Sequence, residues 1–282
     1  MMLTIPNSMA ATEKNRLEFY GGKVQVDFYP NSHRYKLVEL DGEERKDWIP
    51  SPSSIIGKLD KSPQLVHWAV NCFEEKIVEL MRDGVQFTKD DVLSMVAEGK
   101  TAHTIKKESA ASVGSVVHEY AEEYSATASV EMPDSYAELD EAEQALADKG
   151  IEAFHQWVDQ VEPKFLKSEF SVFSLKQMFV GTSDELVEID GAKYLLDYKT
   201  SKGVYSSHFY QASAYLKAYE EEHGEKLAGA MIIHVSKETG AVGVVTLSRS
   251  DLVKGYVGFK ALATIHSIDK QVNKTLKAYA SK

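Results

Sequence analysis

The stretch "GTSDELVEIDGAKYLLDYK", Gly181 to Lys199, decides the fold. At its centre Asp190-Gly191 is a two-residue hairpin signal, because a type I′ turn needs positive φ at both central positions and these residues tolerate it. Two β-forming runs flank the turn. If Ile189 faces Ala192, then Glu188 faces Lys193, Leu186 faces Leu195, and Asp184 faces Asp197. The opposite-charge pair and the leucine pair both suit that register, and a bulge near Gly181 would shift the count by one. Residues i and i+2 of a strand share a face, so Lys199 projects on the side of Asp197. The hairpin therefore predicts two acids and one base gathered at its open end.

Directly opposed carboxylates destabilise a ladder unless something neutralises them. Two converging carboxylates suit a hard divalent cation that prefers oxygen ligands, Mg²⁺ or Mn²⁺. A lysine beside such a cation orients or deprotonates a water, or stabilises charge on a phosphoryl oxygen. For an isolated Asp-x-Lys the plainer reading is a strand-end salt bridge, with Asp184 facing water.

Outward from the hairpin, strand patterns continue on both sides after Pro163: "FLKSEFSVFS" before it, then a helix "SSHFYQASAYLKAYEEEHG", strands "AGAMIIHVS" and "AVGVVTLS", and a last helix from Ser250. Between Pro63 and Pro163 the periodicity is helical, and the acidic segment from Glu131 to Glu143 reads as a solvated loop and helix face. From Val24 to Pro50 β-formers alternate with turn residues such as Pro30-Asn31 and Asp41-Gly42, which predicts hairpins. The expected organisation is a β-rich extension over 1–62, a helical subdomain over 63–109 and an α/β core over 110–282.

The chain has 282 residues, 43% of them hydrophobic, enough for a sizeable core. No apolar run reaches the roughly 20 residues of a membrane span. The start lacks the basic flank and apolar centre of a secretory signal, and Glu13 with little arginine argues against a mitochondrial transit peptide, so the expected location is the cytoplasm, the matrix being the weaker reading. Cys72 is the single cysteine, which excludes a disulfide, a cysteine-based zinc site and a four-cysteine iron-sulfur cluster. A formal charge of -11 argues against coating nucleic acid through a global field, while leaving room for a local basic channel. "EGKT" at Glu98 to Thr101 resembles a Walker A ending, but Ser94 stands where that loop needs glycine.

Four features occur in one order: "GSVVHEYAEEY" with His118 four residues after Gly114, "GTSD" ending at Asp184, "DYK" from Asp197 to Lys199, and "QASAY" from Gln211 to Tyr215. Together they resemble the PD-(D/E)xK nuclease superfamily, and within it the RecB-type exonuclease domains of recombination nucleases, phage exonucleases and the mitochondrial genome maintenance exonuclease. The resemblance covers roughly Ala110 to Tyr256, and "WIPSPSSIIGKLDKSPQLVHWA" is similar to the lead-in of phage-type members. It implies a restriction-endonuclease-like mixed sheet flanked by helices, with the N-terminal hairpins and helical subdomain added. It also implies that Asp184, Asp197, His118 and the backbone carbonyl of Tyr198 hold Mg²⁺ or Mn²⁺, that Lys199 is the catalytic lysine, and that Gln211 arranges the site. Glu169 matches an acidic position of many members, an exposed strand residue being the other reading; Tyr215 is a supporting position or core packing, and Glu122 a supporting acid or a solvated helix acid.

The implied activity is metal-dependent exonuclease cleavage of DNA with a free or single-stranded end, in recombination, repair or replication. A recombination or replication protein would be a partner, and a phage source would place the chain in the host cytoplasm. On the helical region, Lys106, Lys107 and Trp68 are candidates for phosphate contact and base stacking. Two other classes are open. A retaining glycoside hydrolase also pairs carboxylates, but gives Lys199 and His118 no place. A nuclease-like fold that only binds DNA or a partner protein would bind and not cut.

Overall fold

The computed structural model describes residues 14–59, 61–199, 203–235 and 242–280. The first thirteen residues, including Glu13 of the leader reading, and Thr200 and Ser201 just after the hairpin, lie outside that set.

Five strands open the described chain: β1 (Asn15–Phe19), β2 (Val24–Tyr29), β3 (Arg34–Leu40), β4 (Glu43–Glu44) and β5 (Trp48–Ile49). They form one antiparallel sheet in which β5 pairs with β3 beside the β1-β2-β3-β4 path. Then come α1 (Pro52–Ile56), α2 (Ser62–Leu80), α3 (Lys89–Thr127) and α4 (Glu141–Val161). Thr88 and Asp140 cap α3 and α4 through capping boxes with Asp91 and Glu143, which satisfy first-turn N–H groups that have no helical partner. The boundary expected at 109/110 falls inside α3, a single 39-residue helix.

The main sheet holds β6 (Lys164–Ser174), β7 (Phe179–Ile189), β8 (Ala192–Lys199), β9 (Gly229–Val235) and β10 (Val242–Ser248), in the order β10-β9-β8-β7-β6. Among the described strands only β8 and β9 run parallel, and α5 (Ser206–His223) makes the crossover such a pair requires. The last helix, α6 (Arg249–Ala280), packs on α5. Gly255 and Gly258 allow that close approach, since side chains there would run into Ser213 and Tyr210. This is the α/β mixed sheet flanked by helices, with N-terminal antiparallel strands, that the sequence predicts.

Strand alternation sorts the core into layers. Leu186 and Leu195 face α1, α5 and α6, with Leu216, Ile232 and Phe259. Val187, Leu196 and Tyr198 face α3 and α4, with Val117, Phe154 and Trp157. The N-terminal sheet buries Val26, Tyr35 and Leu37 against Phe173 and Val180 at the ends of β6 and β7. Two helix layers and the second sheet thus meet around one stretch of β7, the stretch that leads to Asp184.

Candidate functional site

The β7-β8 register is the predicted one, with Ile189↔Ala192, Glu188↔Lys193, Leu186↔Leu195 and Glu185↔Leu196. Asp190 and Gly191 adopt φ 50 and 75, as the turn demands. No bulge interrupts this pair; the irregularity is between β6 and β7, at Phe165/Lys167. One detail of the ladder needs correcting. Pairing ends at Glu185↔Leu196, so Asp184 and Asp197 are not a paired rung. The Asp184 carboxylate takes the place of a ladder acceptor instead, receiving the Tyr198 N–H at 2.8 Å on Oδ2. Like charges on a direct rung repel, and parting the strands there lets each acid find its own cation.

Each acid has one. Lys199 Nζ lies 2.7 Å from both Asp197 oxygens. His118 Nε2 reaches Asp184 Oδ2 at 3.1 Å, and its Nδ1 pairs with Glu122 one helical turn on. His118 stands edge-on to the Tyr198 ring, which fixes the imidazole against the sheet. Burial works against a charged His118, but the hydrogen bonds to Asp184 and Glu122 prevail and lift it to about 10. Burial also disfavours the Asp184 carboxylate, and His118 and Lys199 overcome it and hold that carboxyl below its ordinary value. Asp197 goes the other way: burial, with the Asp184 charge added, pushes it up to about 6 despite Lys199. For Lys199 the two aspartates outweigh burial and keep the ammonium charged.

Glu169 enters from β6, which pairs Ser168 with Glu185 and Phe170 with Ser183 but leaves the position between them unpaired. Its φ is 43, a left-handed conformation that side-chain-bearing residues adopt at a cost of roughly 1–3 kcal/mol and keep where the surroundings enforce it. Burial first, then the neighbouring Glu122, pushes Glu169 up to about 7. An open cleft of about 420 Å³ lies over this cluster, lined by Gly114, Ser115, His118, Glu119, Glu122 and Glu169 among others. Asp184, Asp197 and Lys199 are not part of that lining, and Asp184 reaches it through His118.

Gln211 donates to the Tyr215 hydroxyl at 3.1 Å, so its direct partner is that tyrosine. Tyr215 is buried and braces Gly181, where a Cβ would stand 2.9 Å from Pro52 Cδ and 3.0 Å from Tyr215 Cε1. The glycine of "GTSD" is therefore a packing requirement of α1 and α5. On the helical region, Lys106 pairs with Glu75 at 2.9 Å, Trp68 stands edge-on to His103, and Lys107 is exposed.

Sequence reasoning overlooked Glu185. It is 0% exposed on the α3 side of β7, accepts from Ser168 at 3.0 Å and from Ser125, and is pushed up to about 8, first by burial. The Asp184-Glu185 doublet held the signal, since alternation must send one of two neighbouring acids to each face. Five carboxyl groups, Glu122, Glu169, Asp184, Glu185 and Asp197, thus crowd two cationic side chains. Both Asp197 oxygens depend on the one Lys199 ammonium, at 2.7 Å from each. Among the described residues no group of three His, Cys, Asp or Glu side chains is arranged so that it could hold a metal ion.

No family model and no curated protein matches the chain. Among solved structures, a protein of Eubacterium rectale described as a "putative exonuclease" aligns at 13% identity and a TM-score of 0.41, over 55% of this chain and 68% of its own. SSO0001 aligns at 8% identity and a TM-score of 0.27, over 72% of this chain and 87% of its own. Likeness at that level carries no argument, and the site stands on its own geometry.

Proposed function

We propose that this chain is a metal-dependent nuclease of the PD-(D/E)xK kind, acting on DNA ends by hydrolysis of phosphodiesters. The observation that carries the reading is the pairing of Asp184 with His118 and of Asp197 with Lys199 where one hairpin opens, among more carboxylates than cations. Such a surplus of acid, with both Asp197 oxygens sharing the single Lys199 ammonium, fits a hard cation, and Asp184, Asp197, His118 and the Tyr198 carbonyl are the groups that would hold it. Bound there, Mg²⁺ or Mn²⁺ supplies Lewis-acid stabilisation of phosphoryl charge and a more acidic water.

The chain's own residues have separate tasks. His118 carries a proton between Asp184 and Glu122 and must release it to act as a ligand, so cation affinity falls in acid. Lys199, fixed on Asp197, presents an ammonium that orients water or a non-bridging phosphate oxygen. The water oxygen bonds to phosphorus and gives up a proton, the P–O bond to the leaving group breaks, and the leaving oxygen takes up a proton in its place, so that the balance is water in and an alcohol and a phosphate end out. Gln211 positions Tyr215 and, through it, the Gly181 end of β7.

End-labelled single-stranded and duplex DNA incubated with Mg²⁺, Mn²⁺ or EDTA tests the reading, with Lys199→Ala in parallel. Cleavage that needs the cation and falls about 10²- to 10⁴-fold in the variant is expected. Folded protein that leaves DNA intact with every cation would mean a binding role in place of catalysis, and cutting in EDTA would point to another chemistry.

A further inference from the structure

The N-terminal sheet has an outer face that the core does not cover, and the register sorts its residues into rows. One row runs Glu18, Gln25, Glu39, Glu44 and is acidic. Two residues along the strands, the next row on that face runs Arg16, Asp27, Lys36, Trp48, and beyond it Tyr29 pairs with Arg34. Asp27 is taken up by Lys14 and Arg16, both at 2.6 Å. Among the described residues Arg34 and Lys36 have no carboxylate within ion-pair reach. In a chain of net charge -11, one end of this face is therefore locally cationic.

The same end is aromatic. Trp48 is 44% exposed, a large apolar area to leave in water, and the Arg34 guanidinium lies 3.8 Å over its ring centroid. Tyr29 stands beside it with ring centroids 5.5 Å apart. Planar rings with cations between them suit a strand of unpaired bases, since each base has a π-face and each phosphate a charge. The inner side of this end packs on the strand that leads to the carboxylate site. Two residues after Trp48, the Pro50 carbonyl accepts the Val180 N–H, and Pro52 packs on Gly181, three residues before Asp184. Tyr35, next to Arg34, is buried in one cluster with Val180.

We propose that Trp48, Arg34, Lys36 and Tyr29 form a stacking platform for single-stranded DNA that holds the strand beside the carboxylate site. The placement rests on the nuclease reading given above, whereas the platform itself rests on the outer face of the N-terminal sheet. It differs from the helical region, where Lys106 is paired and Trp68 is packed on His103.

The test is fluorescence anisotropy of a labelled oligo-dT with the whole chain in EDTA, so that binding is read without cutting. Trp48→Ala is expected to weaken binding about tenfold, while Trp48→Phe, which keeps a ring, stays within a few-fold of the parent. Arg34→Ala and Lys36→Ala should each lower the slope of log affinity against log salt by roughly 0.7, the value for one phosphate contact on a single strand. Blunt duplex, whose bases are already stacked, should not respond to Trp48→Ala.

Thermal unfolding of each variant identifies any that is misfolded, and the exposed Arg34→Ala keeps the test decisive if Trp48→Ala is one of them. Parent-like binding by folded Trp48→Ala and Arg34→Ala overturns the platform and leaves the nuclease reading to be judged by cleavage. Absence of any strand binding by the parent also overturns it. Ring-dependent binding by a protein that cuts nothing keeps the platform and removes the catalytic reading.

Discussion

Asp27 and Asp197 are equally hidden from solvent, 3% and 4% exposed, but Asp27 lies shallow under the half-exposed Lys14 and Arg16 while Asp197 lies deep, and their carboxyl groups move in opposite directions. Burial alone would raise both. At Asp27 the hydrogen bonds from Lys14 and Arg16 win, and the carboxyl is held below its ordinary value. At Asp197 a single lysine faces burial and a second carboxylate, and the carboxyl rises to about 6. The first acid is satisfied by its neighbours, and the second is short of positive charge. Low solvent exposure therefore does not distinguish a structural acid from one poised for a cation; depth and the balance of charge around it do.

The same substitution at both sites should separate them most. Asp197→Ala leaves the Lys199 ammonium largely buried with its nearest partner gone and should cost about 3–5 kcal/mol. Asp27→Ala releases two half-exposed cations to water and should cost about 1 kcal/mol, both read by chemical denaturation. Added Mn²⁺ or Mg²⁺ at a hundredfold excess over its dissociation constant should stabilise the parent by about 2.7 kcal/mol. That gain should vanish in Asp197→Asn and persist in Asp27→Asn, and a gain kept by Asp197→Asn would place the cation elsewhere.

The pH response should differ in sign. A carboxyl lowered on folding contributes stability that is present above its ordinary value and lost as the pH falls through the lowered one, so the Asp27 contribution holds at neutral pH and fails in acid. A carboxyl raised on folding contributes stability that is full below its ordinary value and lost as the pH rises through the folded value. Without a cation, the stability of the parent relative to Asp197→Asn should thus decline as the pH passes from about 4 to above about 6. Stability measured across that range, with each asparagine variant beside the parent, checks both signs.

Gly181→Ala tests whether the support of the site is itself tight. The added methyl meets Pro52 and Tyr215, and overpacking of that kind costs roughly 1–3 kcal/mol. The smallest effect belongs to the outer face of the N-terminal sheet, where Glu39 and Glu44 oppose each other on one rung. Glu39→Lys should gain a few tenths of a kcal/mol, up to about 1 kcal/mol, seen as a slight rise in the unfolding midpoint.

Much of this was legible before any coordinates. Asp190-Gly191 fixed the register of β7 on β8 because a two-residue turn has few ways to close, and alternation then assigned Leu186 and Leu195 to one layer and Leu196 and Tyr198 to the other. The motif order singled out His118, Asp184, Asp197 and Lys199, which the structure brings into two ion pairs. Other features were not legible. Counting rungs could not foresee that pairing stops at Glu185, since that depends on where His118 arrives from another layer. Nor could it foresee the left-handed Glu169, the burial of Glu185 against Ser125 and Ser168, or Gln211 turning to Tyr215.

The sequence by itself determined the hairpin, its register, the helix caps and the residues that carry charge, because each depends on neighbours within a few positions. Only the tertiary structure decided which carboxylates are fully neutralised and which share too little positive charge. That quantity depends on groups brought from α3, β6, β7 and β8 into one low-dielectric space, where a charge is stabilised or penalised by whatever stands within a few ångströms of it.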